Sequence, residues 1–183
     1  MGGTGTLKAV LFDRDGTLVV DVPYNGDPQL VRPMDGALAA LQKVRGAGLA
    51  TGVVSNQSGV ARGLLTLDQV TSVNRKVEQV LGPFDVWEIC PHGPGDGCEC
   101  RKPAPGMILA ACRRLGITPD ETAFIGDIGA DIEAATAAGS RAVLVPTPVT
   151  RQEEIDAAEW VALDLGQAVE MLLENTAEQD VPA

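Results

Sequence analysis

The sequence predicts an α/β fold in which helices cover both faces of a mainly parallel sheet. Short apolar runs, long enough for buried strands and too short for helices, alternate with stretches whose apolar residues recur at helical spacing. Such alternation is typical of parallel sheets, because each parallel connection must cross back along the sheet. No internal repeat or low-complexity linker divides the 183 residues. We therefore expect one domain over residues 1–183, with no large cap domain.

The N-terminal half holds three of the expected strands and two of the helices. Prolines, glycines and polar residues make 19–32 a loop. Helical spacing then predicts a helix over 34–44, with Gly46 and Gly48 as stop signals. Thr66 to Gln69 resembles a capping box that begins a second helix. Its apolar face would comprise Val70, Val73, Val77 and Val80. The expected strands are 9–12, 49–54 and 86–90.

The C-terminal half continues the alternation. Helical spacing over 107–115 and an alanine-rich stretch over 132–138, which Gly139 ends, predict two further helices. Apolar runs predict strands at 122–125 and 142–145. A last helix is expected over 164–173, and 175–183 is expected to be a flexible tail.

Two acids follow the first strand directly. Asp13 and Asp15 flank Arg14 and precede a Gly16-Thr17 turn signal. Carboxylates two apart point the same way in an extended chain, and α/β sheets place ligands at the carboxyl ends of their strands. Two close acids need a cation, so the pair indicates a hard metal ion and acid–base chemistry. Taken alone, the same pattern more often marks a solvated strand end.

Polar groups also follow other predicted strands. Ser55 and Asn56 come after the second strand, Lys102 lies beside Arg101, and Asp127 ends the fourth strand. Adjacent bases could grip a phosphate. Each group alone has an ordinary explanation as a turn, a helix cap or a solvated surface. Together they place acids, a hydroxyl and a base at one edge of the predicted sheet.

In chain order these residues resemble the four motifs of the haloacid dehalogenase superfamily of phosphatases. The matching residues are Asp13-Arg14-Asp15-Gly16-Thr17, Ser55-Asn56, Lys102, and Gly126-Asp127 with Asp131. The resemblance covers about residues 8–150 and implies a three-layer Rossmann-like sandwich. It also implies a Mg2+-dependent phosphatase in which Asp13 is the nucleophile and forms an aspartyl-phosphate.

The resemblance also implies the other roles in the site. Asp15 would protonate the leaving oxygen and later deprotonate the attacking water. Ser55 and Lys102 would stabilise the transferred phosphoryl oxygens. The Mg2+ ligands would be the carboxylates of Asp13 and Asp127 and the main-chain carbonyl of Asp15. Asp131 is either an acid that orients the site or a helix-start charge favoured by the helix dipole.

A second cluster lies between the third strand and the Arg101-Lys102 pair. It contains the only histidine of the chain and three of its four cysteines, namely Cys90, His92, Cys98 and Cys100. The Gly/Pro-rich linker could fold the two pairs together into a closed Cys3His set suited to structural Zn2+. A disulfide is the alternative, and the expected cytoplasmic setting disfavours it. Cys112 lies in a helical apolar stripe and is expected in the core.

The zinc loop runs directly into Arg101-Lys102. With the run from Asn56 to Gly63, this combination resembles a zinc-loop subgroup of the same superfamily. The implied reaction is removal of the 7-phosphate of D-glycero-D-manno-heptose 1,7-bisphosphate, in nucleotide-activated heptose biosynthesis. Histidinol phosphate or another small sugar phosphate is the alternative substrate. The implied substrate-pocket residues are Asp21, Tyr24, Ser55, Asn56, Arg62, Arg101 and Lys102.

The composition argues against other classes of protein. The formal charge is −11, and residues 151–183 contain nine acids and one base. Without a basic stripe, and with only 3% aromatic residues, a zinc-knuckle nucleic-acid binder is disfavoured. The alternative of a zinc-stabilised binding module that has lost its catalytic activity is disfavoured, because the acids and the lysine of the four motifs are all present. No apolar stretch approaches the roughly 20 residues needed to span a bilayer, and no secretion signal is evident. We therefore expect a cytoplasmic monomer without membrane partners.

Overall fold

A five-stranded parallel sheet organises the computed structural model, which describes residues 5–179, with side chains through 175. The strand order is β3-β2-β1-β4-β5. The strands are β1 (Ala9–Phe12), β2 (Ala50–Asn56), β3 (Val86–Cys90), β4 (Thr122–Gly126) and β5 (Arg141–Leu144). The predicted mainly parallel α/β architecture is confirmed.

The order of the strands places a crevice beside β1. The chain runs from β1 through β2 to β3 on one side and then crosses to β4 and β5 on the other. At the end of β1, Phe12 pairs with Val53 of β2 and with Ile125 of β4. The order in which strands are added therefore reverses at β1, between β2 and β4, and open α/β sheets bind their ligands at such a point.

The helices form a layer on each face of the sheet. They are α1 (Ala37–Gly46), α2 (Leu67–Leu81), α3 (Gly106–Leu115), α4 (Gly129–Ala138), α5 (Gln152–Ala157) and α6 (Leu165–Gln179). Apolar residues of α1, α2 and α6 share one core cluster, and those of α3 and α4 share the other. No large cap domain is inserted among the described elements. None of the helices in the described part combines the length and apolarity that crossing a membrane requires.

Both faces of β1 are buried. Val10 and Phe12 face the α1, α2 and α6 layer, and Leu11 faces the α3 and α4 layer. A strand covered on both faces must be apolar throughout, which explains the uninterrupted run that identifies it in the sequence. The buried strand therefore holds its carboxyl end, and the residues that follow, in a fixed position.

The expected helix signals are present. The Thr66 hydroxyl accepts a hydrogen bond from the Gln69 amide at 3.2 Å, and the Gln69 side chain accepts one from the Thr66 amide at 2.9 Å. Gly139 ends α4 in the left-handed conformation. The capping box and the glycine stop are both confirmed.

Three local predictions need correction. The 19–32 loop contains a 3-10 turn, Pro28–Leu30, and α5 was not predicted because it buries none of its residues and so has no apolar stripe. The predicted tail starts too early, since α6 runs to Gln179. In the sequence, residues 174–179 lack an apolar stripe but include good helix formers, so the helix continues past the predicted end. Residues 180–183 of that tail lie outside the described residues.

Candidate active site

A polar cavity of about 360 Å³ opens at the carboxyl ends of β1, β2 and β4. Asp13 and Asp15 reach it from the turn after β1, Ser55 from the end of β2, and Asp127 from the turn after β4. Lys102 enters from the loop before α3. The topology thus brings the residues of four separate sequence motifs to one edge of the sheet.

Lys102 lies at the centre of this cluster. Its Nζ is 2.7 Å from Asp13 Oδ1 and 2.7 Å from Asp131 Oδ1, and it donates to the Val54 carbonyl at 2.9 Å. The lysine is buried, which lowers its pKa, but Asp13 and Asp131 outweigh this effect and raise the pKa above its usual value. Lys102 is therefore a fixed positive charge beside Asp13.

The buried carboxylates of the site outnumber the single positive charge of Lys102. Burial raises the pKa of Asp13 well above its usual value; Lys102 opposes the rise, and neighbouring acids add to it. Burial and Asp131 raise the pKa of Asp127 to about 7, although Thr17 donates a hydrogen bond to its carboxylate at 3.3 Å. Three buried carboxylates share one ammonium group, which leaves an excess of negative charge when all three are ionised. A bound cation would relieve this repulsion.

The oxygen donors fit a hard divalent cation. Carboxylate oxygens of Asp13, Asp127 and Asp131 all lie within 4.8 Å of one another. Asp131 already uses both oxygens: Oδ1 contacts Lys102, while Oδ2 accepts from the amides of Asp127 at 3.1 Å and Ile128 at 3.2 Å. Asp13 and Asp127 are therefore the better candidates for ligands. Asp131 both holds Lys102 and caps the start of α4, so both sequence interpretations describe it.

Two glycines allow the motifs to approach so closely. Gly16 has a φ of 83°, and a Cβ atom there would overlap the Asp127 carboxylate. A Cβ atom at Gly126 would overlap the Asp131 side chain. Any other residue at Gly16 would also be strained in this backbone conformation.

Asp15 does not join the cluster of the other three acids. The extended geometry ends at Phe12, and the chain then turns, with the Leu18 amide donating to the Arg14 carbonyl at 3.0 Å. The Asp15 carboxylate instead accepts from Arg14 Nε at 3.0 Å and Nη2 at 2.9 Å, and from Gln57 Nε2 at 2.9 Å. The extended-chain argument for two parallel carboxylates therefore fails past the strand.

The residues at the end of β2 differ in what they face. Ser55 lines the cavity, and its hydroxyl accepts from Gln57 Nε2 at 2.9 Å. Asn56 also borders the cavity, but its side-chain amide is hydrogen-bonded to the main chain of Lys102. Asn56 thus holds the loop that carries Lys102.

The remaining pocket residues expected from the sequence divide between two places. Asp21 and Tyr24 line the cavity, and burial followed by the charge of Asp15 raises the pKa of Asp21. The Arg62 guanidinium lies 5.8 Å from the Tyr24 ring centroid. Arg101 lines a separate, smaller cavity beside the cysteine loop and donates to the His92 carbonyl at 3.4 Å.

Sequence reasoning assigned no role to three residues near the site, namely Arg14, Asn74 and Thr150. Arg14 is 1% exposed and joins Asp15 to Asn74 of α2. A signal for Asn74 was present, since it lies at helical spacing from the buried Val70 and Val77 and is a polar residue on that apolar face. Thr150, which donates to the Asp127 carbonyl at 2.6 Å, had no sequence signal.

The cysteine loop brings its four predicted ligands together. Cys90 Sγ lies 3.6 Å from His92 Nδ1, 3.7 Å from Cys98 Sγ and 3.2 Å from Cys100 Sγ. In a tetrahedral zinc site, sulfur atoms about 2.3 Å from the ion are roughly 3.7 Å apart. The thiols are free, and the four donor atoms lie within 4.8 Å of one another. The set fits Zn2+, and no disulfide joins these four residues.

Known proteins resemble this chain over most of its length. A family model described as HAD-hydrolase-like matches residues 99–168. The D-glycero-beta-D-manno-heptose-1,7-bisphosphate 7-phosphatase of Yersinia pestis is 37% identical over 172 residues, which cover 86% of this chain and 91% of that protein. The protein of the same name from Escherichia coli K12 is 36% identical over 181 residues, which cover 90% of this chain and 94% of that one.

A solved structure extends the likeness to the fold. The D,D-heptose 1,7-bisphosphate phosphatase of B. bronchiseptica, crystallised with magnesium and phosphate, matches with a TM-score of 0.82 at 31% identity. The match covers 92% of this chain and 99% of that protein.

Proposed function

Since this chain belongs to the haloacid dehalogenase-like family of the heptose 1,7-bisphosphate phosphatases, we propose that it hydrolyses the 7-phosphate of D-glycero-β-D-manno-heptose 1,7-bisphosphate. The β anomer is the one named for the similar curated enzymes. This reaction would place the enzyme in the biosynthesis of nucleotide-activated heptose. Histidinol phosphate is the alternative substrate for a phosphatase with such a loop.

The observation that carries the proposal is the contact between Lys102 and Asp13. An ammonium group 2.7 Å from the buried Asp13 carboxylate opposes the effect of burial on its pKa and so stabilises the ionised form, which is the form that can attack phosphorus. We assign Asp13 as the nucleophile: its oxygen bonds to phosphorus while the bond to the sugar oxygen breaks. Hydrolysis of the resulting aspartyl-phosphate returns the carboxylate and releases phosphate.

Asp15 is assigned the proton transfers. It would give a proton to the departing sugar oxygen and then take one from the water that attacks the aspartyl-phosphate. Its place apart from the cluster of the three other acids supports this role, because a proton donor must face the leaving group rather than the metal. Lys102 and the Ser55 hydroxyl would stabilise the transferred phosphoryl oxygens.

Both metals expected from the sequence fit the residues present. The carboxylates of Asp13 and Asp127 would hold Mg2+, with the main-chain carbonyl of Asp15 as a third ligand on the family pattern. When bound, Mg2+ offsets the repulsion between the anionic nucleophile and the phosphate. Zn2+ would be held by Cys90, His92, Cys98 and Cys100, in a closed set that leaves it a structural role.

We assign substrate recognition to the cavity wall. Asp21 can accept hydrogen bonds from sugar hydroxyls, and Tyr24, a residue that is 45% exposed, offers an aromatic ring. Arg62, whose guanidinium lies 5.8 Å from the centroid of that ring, would supply positive charge near the cavity, and Arg101 would supply more beside the cysteine loop. Because no large cap is inserted, these loops would select the substrate without domain closure.

The remaining expectations also stand as proposals. We propose a single-domain monomer in the cytoplasm, with a small phosphorylated sugar as its partner and neither nucleic acid nor a membrane. Free cysteines arranged for a metal are typical of a reducing compartment, which supports this location. Sedimentation analysis at micromolar concentration would detect a dimer if the monomer assignment is wrong.

Steady-state phosphate release tests the function. We expect the purified enzyme with Mg2+ to show its highest kcat/KM on the β heptose 1,7-bisphosphate, with lower values on the α anomer and on histidinol phosphate. A higher kcat/KM on histidinol phosphate would overturn the substrate assignment. Failure to release phosphate from any ester in a wider panel would overturn the reaction itself.

A further inference from the structure

Arg14 is buried beside the cavity, whereas Arg62 is exposed and Arg101 only half-buried. Its side chain is the largest of those that are almost completely buried, and the residue is 1% exposed. Burying a guanidinium is costly unless its donors are satisfied by acceptors of opposite charge or suitable geometry. The identities of those acceptors therefore indicate what the residue does.

The Arg14 donors join two elements of the fold. Nε and Nη2 donate to the two oxygens of Asp15 at 3.0 and 2.9 Å, the bidentate geometry that fixes a carboxylate plane. Nη1 donates to Asn74 Oδ1 at 2.7 Å. Asn74 lies within α2, a helix of 15 residues that begins with a capping box. The helix thus anchors the guanidinium from the side opposite Asp15.

A second donor restricts Asp15 further. Gln57 Nε2 donates to Asp15 Oδ2 at 2.9 Å and also to the Ser55 hydroxyl. The main-chain amide of Gln57 donates to the Cys90 carbonyl at 2.7 Å. Asp15 is therefore held from the β2 side as well as from α2. Without these donors its charge would be repelled by Asp13 and the other acids nearby.

We propose that Arg14, anchored by Asn74, is a positioning residue that holds Asp15 in place for proton transfer to the leaving group. Three donors fix the carboxylate apart from the Asp13–Lys102–Asp131 cluster, where it would otherwise compete for the same cation. The proposal rests on the proposed function, since it takes Asp15 as the acid. It extends the site by one residue of α2 that neither lines the cavity nor contacts Asp15.

The proposal makes the effect of substitution depend on the leaving group. A sugar alkoxide is a poor leaving group and needs the proton, whereas p-nitrophenolate departs without it. The kcat/KM value covers the steps up to departure of the leaving group and excludes hydrolysis of the phospho-enzyme, in which Asp15 acts again. Comparing the two kinds of ester therefore isolates proton donation.

Asn74→Ala is the principal test, because Asn74 lies outside the catalytic residues. Misplacement of a catalytic group typically costs about 10- to 100-fold, so we expect kcat/KM on the heptose bisphosphate to fall by about tenfold or more. On p-nitrophenyl phosphate we expect a fall of less than about threefold, since the proton contributes little there. Arg14→Lys, which cannot bond both oxygens of Asp15 and Asn74 together, should show the same pattern with a larger loss.

Two further variants separate positioning from general damage. Asn74→Asp keeps an acceptor oxygen for Arg14 and should restore most of the activity on the bisphosphate. Ser72→Ala, also on α2, removes a hydroxyl that bonds only to the Asp68 carbonyl within the helix, and should leave both rates unchanged.

Equal losses of Asn74→Ala on both esters, or no loss on either, would overturn the positioning role. If the wild-type enzyme hydrolyses other alkyl phosphates but not the heptose bisphosphate, the substrate proposal fails and the same comparison is made on those alkyl phosphates. An inactive wild type would overturn the proposed function itself.

Discussion

Asn56 and Lys102 form a reciprocal pair of hydrogen bonds, in which the Asn56 side-chain amide bonds to the Lys102 main chain as a neighbouring strand would. Asn56 Nδ2 donates to the Lys102 carbonyl at 3.1 Å, and the Lys102 amide donates to Asn56 Oδ1 at 3.1 Å. The end of β2 thereby holds a loop that comes 46 residues later in the chain. The position of the lysine ammonium beside Asp13 depends on this contact as well as on the charges around it.

Replacing Asn56 with alanine should displace Lys102. We expect kcat to fall by about 10- to 100-fold with a smaller change in KM, because Lys102 would no longer lie where charge develops on the phosphoryl group. Steady-state kinetics on the heptose bisphosphate measure the changes in kcat and in KM separately. Asn175→Ala, which removes an amide bonded only to the Met171 carbonyl of α6, is the matched control. Unchanged kcat for Asn56→Ala would show that the charges alone position the lysine.

Replacing Asp13 with asparagine should abolish turnover, with a loss of at least about a thousandfold, because the amide cannot form the covalent intermediate. The same change removes a buried carboxyl group whose pKa is raised by burial. Without Mg2+, the variant should therefore be at least as thermostable as the wild type. Activity assays and thermal melts without Mg2+ measure the two effects. Asp35→Asn, at an exposed position, is the control, and retained activity in Asp13→Asn would refute the nucleophile assignment.

The stability of the Mg2+-free protein should depend on pH in a direction set by Asp127. Its pKa is raised from 3.8 to about 7 in the fold, so the folded state retains a proton that the unfolded chain releases. That contribution to stability is present at low pH and is lost as pH rises from about 4 to 7. We therefore expect a lower melting temperature at pH 8 than at pH 5.5, and a larger increase on adding Mg2+ at pH 8.

Zinc-loaded protein is suited to this measurement, so that the cysteine thiols do not titrate in the same range. Glu121 and Glu154 have pKa values lowered to about 2 by hydrogen bonds and stay ionised from pH 5.5 to 8, so they do not contribute to the change. Asp127→Asn should reduce the dependence without abolishing it, because the raised pKa values of Asp13 and Asp21 act in the same direction. A wild-type melting temperature that rises with pH in the absence of Mg2+ would contradict the assignment.

The cysteine loop should carry about one zinc ion per chain when the protein is purified without added metal. Cys98→Ser should lose the metal and lower the melting temperature, because a thiolate ligand of the closed set is removed. Cys112→Ala is the matched control: this buried thiol lies beside the Thr122 hydroxyl and is not one of the four grouped donors, so its loss should leave the zinc content unchanged. Elemental analysis of the three proteins decides the matter, and zinc-free wild type would refute the site.

Local patterns sufficed to predict most of the fold. The run 9–12 matches β1 in full, because a strand buried on both faces must be apolar along its length. The run 86–90 also matches β3, although this edge strand is only partly buried and contains Glu88. Patterns of this kind are less informative where burial is absent, and α5 was missed for that reason. The helix α6 also continues past the predicted end at 173 into a stretch of good helix formers that no apolar stripe in the sequence marks.

The site could be predicted in its members but not in its contacts. Spacing along the chain shows that acids and a lysine reach one edge of the sheet. It does not show that Asn56 bonds to Lys102 or that Arg14 bonds to Asn74, which are 46 and 60 residues apart. Those pairings depend on how the turns after β1 and β2 are shaped. The extended-chain argument does not apply to Asp15, because the chain turns at Arg14, but both carboxylates still line the cavity.

The absence of a side chain at Gly16 affects how the activity of variants at this position should be interpreted. Because a methyl group there would occupy the volume of the Asp127 carboxylate, the residue permitted at position 16 is decided by an acid 111 residues later in the chain. Alanine at this position would remove no functional group, yet it would displace a proposed metal ligand and strain the backbone. Such a variant would resemble a catalytic mutant in its kinetics, although glycine takes no part in the chemistry.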